Sequence, residues 1–409
     1  MTPKSWQLKL FYLILFLIPS NLAKHFILPS SYVSGILVDY LIPTIYLTDI
    51  LILTLLVCNK GLSFVTVVKS SFFVFLLCLL PSIIFASSPI PAIYKYLKLI
   101  ELVLFSLWVK QTINLKKHLQ PIITILTLST LFQSLLALTQ WFKQSSLFGY
   151  YFLGEQPFTS ASVGIDKITW FTGAIKIPPM GTFPHPNVLG GFLAVVLPLI
   201  LYKGLNSNTR LRTLCYTSFL LGLLTLFLTF SLSAWLAFLL IGLPLTLKKI
   251  FKVRNLKFIF IYSGLFLILF SFATKFTFLA PQSSFSRRSQ LTQIALKSFT
   301  HSPIVGVGLN NFTINMEHYG YITSTTRFLQ PVHNIFLLIL SETGLIGLAG
   351  FLYLLGSKLQ QLRLRQKSEQ VLNLKIFLIP LLTLLFLGLF DHYPFTIQQS
   401  LLLLFTLIN

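Results

Sequence analysis

The chain has 409 residues, of which 55% are hydrophobic and 10% charged, and its mean hydropathy is +0.82. Ordinary soluble domains carry about 25% charged residues, so the composition excludes a soluble globular protein. The net charge of +22 does not mark a nucleic-acid binder, because Lys and Arg sit mostly in short loops between apolar blocks, the positive-inside pattern of a membrane protein.

A bilayer core of about 30 Å needs about 20 apolar residues in a helix. The apolar blocks predict an all-α, polytopic transmembrane helical bundle with about twelve spans. In chain order these are 6–23, 37–58, 66–86, 90–110, 119–141, 186–203, 212–230, 233–248, 256–275, 333–356, 374–390 and 394–408. The first block, Leu8 to Leu22, follows a weakly basic start, but no small-residue cleavage site follows it. It reads as a retained helix rather than a signal peptide. Ser231 and Leu232 join the seventh and eighth spans as a tight helical hairpin. Cys58, Cys78 and Cys215 lie in or at the ends of apolar blocks with no CxxC pair, so they read as small core residues.

Alternate loops hold 20 of the 31 Lys and Arg residues. That set belongs on the cytoplasmic side, with both termini. The chain then divides into N-terminal helices 1–142, a first outer loop 143–185, central helices 186–275, a large outer loop 276–332 with an amphipathic helix, and C-terminal helices 333–409. Outer loops this long are where function is expected. No internal repeat of the transporter kind is visible in the sequence.

Candidate chemistry gathers at the outer ends. His333, after Pro331, starts the tenth span. Its intrinsic pKa near 6.5 suits a general base, and it equally suits a snorkelling interfacial imidazole. Arg287 and Arg288 are expected to begin the outer-loop helix, with Arg327 near its far end. Arg binds phosphate bidentately, and each can also be solvated loop charge. Asn187 is a candidate N-cap for the sixth span. Glu342, inside the tenth span, must face a polar interior or a partner. Asp391 and His392 cap the outer end of the eleventh span, and Asp49 and Glu101 can pair with Lys98 or Lys95. There is no Walker loop, dinucleotide fingerprint, HExxH or cysteine cluster, so no metal and no cofactor is expected. Chemistry on the outer side, away from cytoplasmic nucleotides, calls for a substrate already activated, such as a lipid-linked diphosphate.

Four segments resemble the O-antigen ligase and polymerase superfamily of bacterial membrane glycosyltransferases. They are Gly181-Thr182-Phe183 with Pro186-Asn187; Ser231-Leu232-Ser233-Ala234-Trp235; Arg288 through Ala295-Leu296 to Pro303 and Gly306-Val307-Gly308-Leu309-Asn310-Asn311-Phe312; and His333-Asn334 with Glu342-Thr343-Gly344-Leu345-Ile346-Gly347. The closing Asp391-His392-Tyr393 is similar too. The resemblance implies transfer of a glycan from undecaprenyl diphosphate to a lipid, glycan or protein acceptor at the outer face of the cytoplasmic (inner) membrane, without metal. It implies that His333 helps activate the acceptor hydroxyl and that Arg288 contacts the donor diphosphate. Asn334 falls in the same motif as a supporting residue. Where the family often has Arg between two serines, this chain has Leu232, and Arg327, Arg287 or Lys176 is positioned to replace it. Polysaccharide polymerase is the nearest alternative. A non-enzymatic transporter or flippase of lipid-linked glycan, or a scaffold for glycan assembly, are further readings.

Overall fold

The computed structural model describes residues 3–58, 64–170, 172–251, 282–320, 328–364 and 370–408. The expected ninth span, 256–275, and Arg327 lie outside them. The described residues are mostly helical, because in lipid the backbone must satisfy its own hydrogen bonds. The first half contains α1 (Ser5–Phe16), α2 (Leu47–Val57), α3 (Phe64–Val68), α4 (Ser71–Ile84), α5 (Pro89–Thr112) and α6 (Leu115–Lys143). After the first outer loop come α7 (Pro186–Leu205), α8 (Thr209–Leu228) and α9 (Leu232–Ala237), which runs through a π turn, Phe238–Gly242, into α10 (Leu243–Phe251). The second outer region contributes α11 (Gln282–His301) and α12 (Phe312–Tyr319). The chain closes with α13 (Ile335–Leu364), α14 (Gln370–Leu387), α15 (Tyr393–Thr396) and α16 (Gln398–Leu407).

Among the described residues four helices, Lys117–Lys143, Pro186–Leu205, Thr209–Leu228 and Ile335–Gln361, are long and apolar enough to cross a membrane, and several shorter apolar helices accompany them. Each expected span within the described residues coincides with a helix, but with corrections. The second starts late. Residues 23–46 instead form a small lobe in which β1 (Ala23–His25) pairs antiparallel with β4 (Thr44–Tyr46), and β2 (Tyr32–Val33) with β3 (Ile36–Leu37). Pro43 cannot donate to a helix ladder, and Asp39 sits in a 3₁₀ turn ahead of it. The lobe is thus a sizeable non-α-helical element beside the two long loops. α7 is the buried axis of the bundle, with nearly every residue from Pro186 to Ile200 enclosed.

Two sequence motifs interlock to break α13. Gly344 has φ 63° and ψ −166° within the helix, a region open essentially to glycine. The break lets Ser341 and Glu342 carbonyls accept from Val307 N (3.0 Å) and Gly308 N (2.9 Å), while Leu345 N donates to Pro303 O (2.9 Å). A Cβ on Gly344 would meet Ile304 O at 2.2 Å, and one on Gly306 would meet the Glu342 backbone at 2.3 Å. The charged residues of α5 are paired inside the bundle, as their positions suggested. Lys98 bonds Asp49 and lies 3.7 Å from Glu101, Gln398 donates to Asp49 (2.6 Å), and Lys95 donates to Phe395 O (2.7 Å).

Candidate active site

The turn between α14 and α15 collects the outer ends of three elements. Ile335 N donates to Gly388 O (2.8 Å), Asn334 Nδ2 to Leu389 O (3.1 Å) and Arg288 Nη1 to Phe390 O (3.0 Å). Asn334 also caps α13 by accepting from Leu337 N at 2.9 Å, the expected role for Asn at a helix start. The same residue thus starts the helix and fixes its entry against the turn. His333, one residue earlier, is brought to Asp391.

His333 Nδ1 lies 3.3 Å from Asp391 Oδ1, and His392 Nε2 lies 4.0 Å from the same oxygen. The His333 contact is an ion-pair distance without hydrogen-bond alignment, leaving Nδ1 without a hydrogen-bond partner. The two imidazoles are 5.0 Å apart. Asp391 and His392 are buried, and His333 is nearly so, at 15% side-chain exposure. Burial alone would raise the Asp391 carboxyl. The His333 contact and the positive field of Arg288 outweigh it and hold the carboxyl well below the usual range. Burial drives His392 down to about 3, against the opposing pull of Asp391. His392 Nδ1 shares a hydrogen bond with Thr396 Oγ1 (2.7 Å), which leaves Nε2 as the ring nitrogen facing Asp391. Among the described residues these three side chains form the one group able to hold a metal ion, with ligand atoms within 4.8 Å of one another.

Other expected residues fall into two classes. Asn187 is not the cap of α7. His185 is, its Nδ1 accepting from Asn187 N at 3.1 Å, because Pro186 takes the first helical position. That bond leaves the His185 proton on Nε2, which donates to Asp166 Oδ2 at 3.0 Å. The hydrogen bond holds the Asp166 carboxyl below its usual value. A Cβ on Gly191 would meet Tyr393 Oη at 2.2 Å, so Asn187, one turn earlier, shares the face of α7 turned toward this cluster. Glu342 is in the site's support rather than its centre. It is buried and accepts from Asn310 N (3.0 Å) and Phe312 N (3.2 Å) at the start of α12. Arg287 and Arg288 do not begin the outer helix, which starts at Gln282. Arg287 stacks over Phe328 at 5.0 Å while Arg288 reaches the turn. Leu232 is 41% exposed. Lys176 lies over Trp141 (4.6 Å) and Trp170 (5.8 Å), and both rings touch Phe230, just ahead of that hairpin.

The residue that sequence reasoning missed is Tyr40. It comes from the 23–46 lobe and meets His392 edge-on, with ring centroids 5.2 Å apart. Burial, then the field of Asp391, push its phenol well above its ordinary value. Its carbonyl accepts from Asn310 Nδ2 (3.0 Å), which ties the lobe to the Glu342 brace. The one available signal was an aromatic next to an aspartate in a stretch that hydropathy assigned to a span. Residues 217–352 match the family model described as O-Antigen ligase. The chain carries an O-antigen ligase domain. No curated protein matches it. The domain covers three of the four resembling segments and includes Arg287, Arg288, His333, Asn334 and Glu342. Asn187, Asp391, His392 and Tyr40 lie outside it. With its long apolar helices, this O-antigen ligase domain marks a bacterial membrane enzyme of the ligase or polymerase type.

Proposed function

We propose that this protein transfers a glycan from undecaprenyl diphosphate to an acceptor hydroxyl at the outer face of the cytoplasmic membrane, with both termini inside and no metal required. The observation that carries this reading is the His333–Asp391 contact beside Arg288 on one turn. Asp391 faces Nδ1 of His333 and orients the ring, so that Nε2 takes the acceptor proton as the hydroxyl oxygen attacks the anomeric carbon. The anomeric C–O bond to the diphosphate breaks, and undecaprenyl diphosphate leaves. A guanidinium carries five N–H donors, enough to hold Phe390 O and a diphosphate oxygen together, and fixed cations stabilise the leaving dianion. Arg287, on the same helix, and Arg327 are further diphosphate contacts in this reading. Asn187, Asn334, Glu342 and His392 support the site. Lipid, growing glycan and protein acceptors are all compatible with it, so the polymerase reaction is included.

The test is transfer by purified protein in nanodiscs, supplied with lipid-linked donor and acceptor. His333→Ala and Arg288→Ala, at matched folded amount, are expected to lose transfer while the donor remains intact. Wild-type transfer rates in both variants would remove His333 and Arg288 from the chemistry, and no transfer by the unmodified protein would move the transporter and scaffold readings ahead. The transporter reading gains nothing from Lys98 and Glu101 of α5, which with Asp49 of α2 form one closed ion-pair group inside the bundle.

A further inference from the structure

The first outer loop contains an aromatic turn, residues 147–154, that the chemistry above does not use. It is rigidly built. Glu155 accepts from Leu147 N (2.8 Å), Phe148 N (2.6 Å) and Gly149 N (2.9 Å). Leu153, at φ 54°, offers its carbonyl to Asn21 N (2.9 Å) and Ser20 Oγ (3.0 Å). Tyr150 Oη donates to Ala23 O (2.9 Å). Yet the turn displays Phe148 at 60%, Tyr151 at 94% and Phe152 at 37% exposure. Large aromatics held rigidly in water forgo the stabilisation that burial gives them.

The position of the turn says what covers it. Phe148 lies 4.4 Å from Phe152, Phe152 lies 6.1 Å from Phe132 of α6, and Phe132 lies 6.2 Å from Phe16 at the end of α1. The turn thus folds back alongside α6 rather than standing off its end. α6 has 29 residues, about 43 Å at 1.5 Å per residue, which exceeds a hydrocarbon core of about 30 Å. Counted from its basic, cytoplasmic end at Leu115, Phe132 stands about 26 Å along the helix, near the outer boundary of the acyl region. The exposed large apolar residues of α6, Leu128, Leu135 and Phe142, recur every seven positions and so form one outward stripe. Phe132 lies at the same helical face, between Leu128 and Leu135.

We infer that the 147–154 turn is an interfacial anchor, with Phe148, Tyr151 and Phe152 seated among the outer-leaflet phospholipids that surround α1 and α6. Aromatic side chains favour that boundary. The anchor is wired to the site: Gln140 Nε2 bonds both Glu155 Oε1 (2.8 Å) and Gly181 O (2.9 Å), at the head of the loop leading to His185 and α7. It fixes the height of that loop in the membrane. The inference rests on the orientation of α6 and not on glycan transfer.

Hydroxyl-radical footprinting of the unmodified protein in phosphatidylethanolamine–phosphatidylglycerol nanodiscs tests it directly. Phe148 and Tyr151 are expected to be oxidised several-fold less than Tyr32 of the 23–46 lobe, which is only 45% exposed. Oxidation of Tyr151 at or above the level of Tyr32 overturns the anchor. A second reading uses a spin label at Tyr151→Cys, with Cys58, Cys78 and Cys215 replaced by alanine. Tyr151 is 94% exposed and, among the described residues, pairs only with the neighbouring Tyr150 ring, at 6.4 Å, so the fold does not depend on it. Collisions with oxygen should exceed those with a water-soluble nickel complex at 151, and the reverse should hold for a label at Ser160→Cys. Nickel-dominated collisions at both positions reject the proposal.

Discussion

Two buried outer-face carboxylates are used in opposite ways. Glu155 is fully enclosed, and its oxygens are filled by three backbone N–H groups and the Gln140 amide. Asp391 is enclosed as well, but it accepts one backbone N–H, from His392 at 2.8 Å, and otherwise faces two imidazoles and a guanidinium. A carboxylate saturated by neutral, immobile donors organises a loop. One left facing titratable partners can orient a base and stabilise its cation. Glu342 sides with Glu155, since backbone N–H groups occupy both of its oxygens. The difference separates carboxylates spent on backbone from one that faces ionisable side chains, which residue type and burial alone do not.

The sharpest way to break this contrast is at the site. His333→Ala is expected to lower turnover by about 10²- to 10⁴-fold, the usual worth of a general base, with unchanged thermal unfolding in detergent. Asp391→Asn keeps the shape and removes the charge. Its turnover should fall by about 10²-fold or more with little change in KM. Full activity in that variant would place Asp391 with Glu155 as structure.

Stability experiments sharpen the other half. Gly344→Ala forces a Cβ against Ile304 O at a glycine-only backbone conformation. It should cost about 1–3 kcal/mol, read as a lower unfolding temperature. Glu155→Gln exchanges an acceptor oxygen for a donor facing backbone N–H groups. A loss of about 1–3 kcal/mol is expected, with turnover per folded molecule retained. The last effect is a pH slope, modest over any one pH unit. His392 is held neutral with its folded pKa depressed to about 3, so between about pH 6.5 and 3 the unfolded chain binds the extra proton. Stability should therefore fall as pH drops through that window, by up to about 1.4 kcal/mol per unit for one such group. Asp391, also depressed, adds a loss in the same direction below about pH 4. Unfolding midpoints measured across pH should show a shallower slope in His392→Gln.

Much of this was readable from the chain alone. Apolar blocks of about 20 residues dictate helices in lipid, because no other local structure satisfies the backbone there. Helices accordingly occupy each expected span among the described residues. The exceptions are local too: Pro43 and the turn residues before it defeat the helix that hydropathy alone extends back to residue 37. The motif residues 288, 333, 334 and 342 were visible as polar positions in the loop 276–332 and in the span that follows it, and the O-antigen ligase domain covers them.

The assignment of roles was not readable, since it depends on which ends of distant helices meet. Hydropathy period carries no information about partners far along the chain. Only packing shows that Glu342 is filled by the start of α12, that His185 rather than Asn187 caps α7, and that Asp391 sits against His333. Tyr40 reaches His392 because the 23–46 lobe is pinned by Asn310 and Tyr150. The sequence by itself determined a helical membrane chain with its polar motifs in or beside the apolar blocks, because those features follow from local burial and charge. The tertiary structure decided which carboxylate faces a base and which is spent on backbone, because that depends on hydrogen bonds between segments that only the folded bundle brings together.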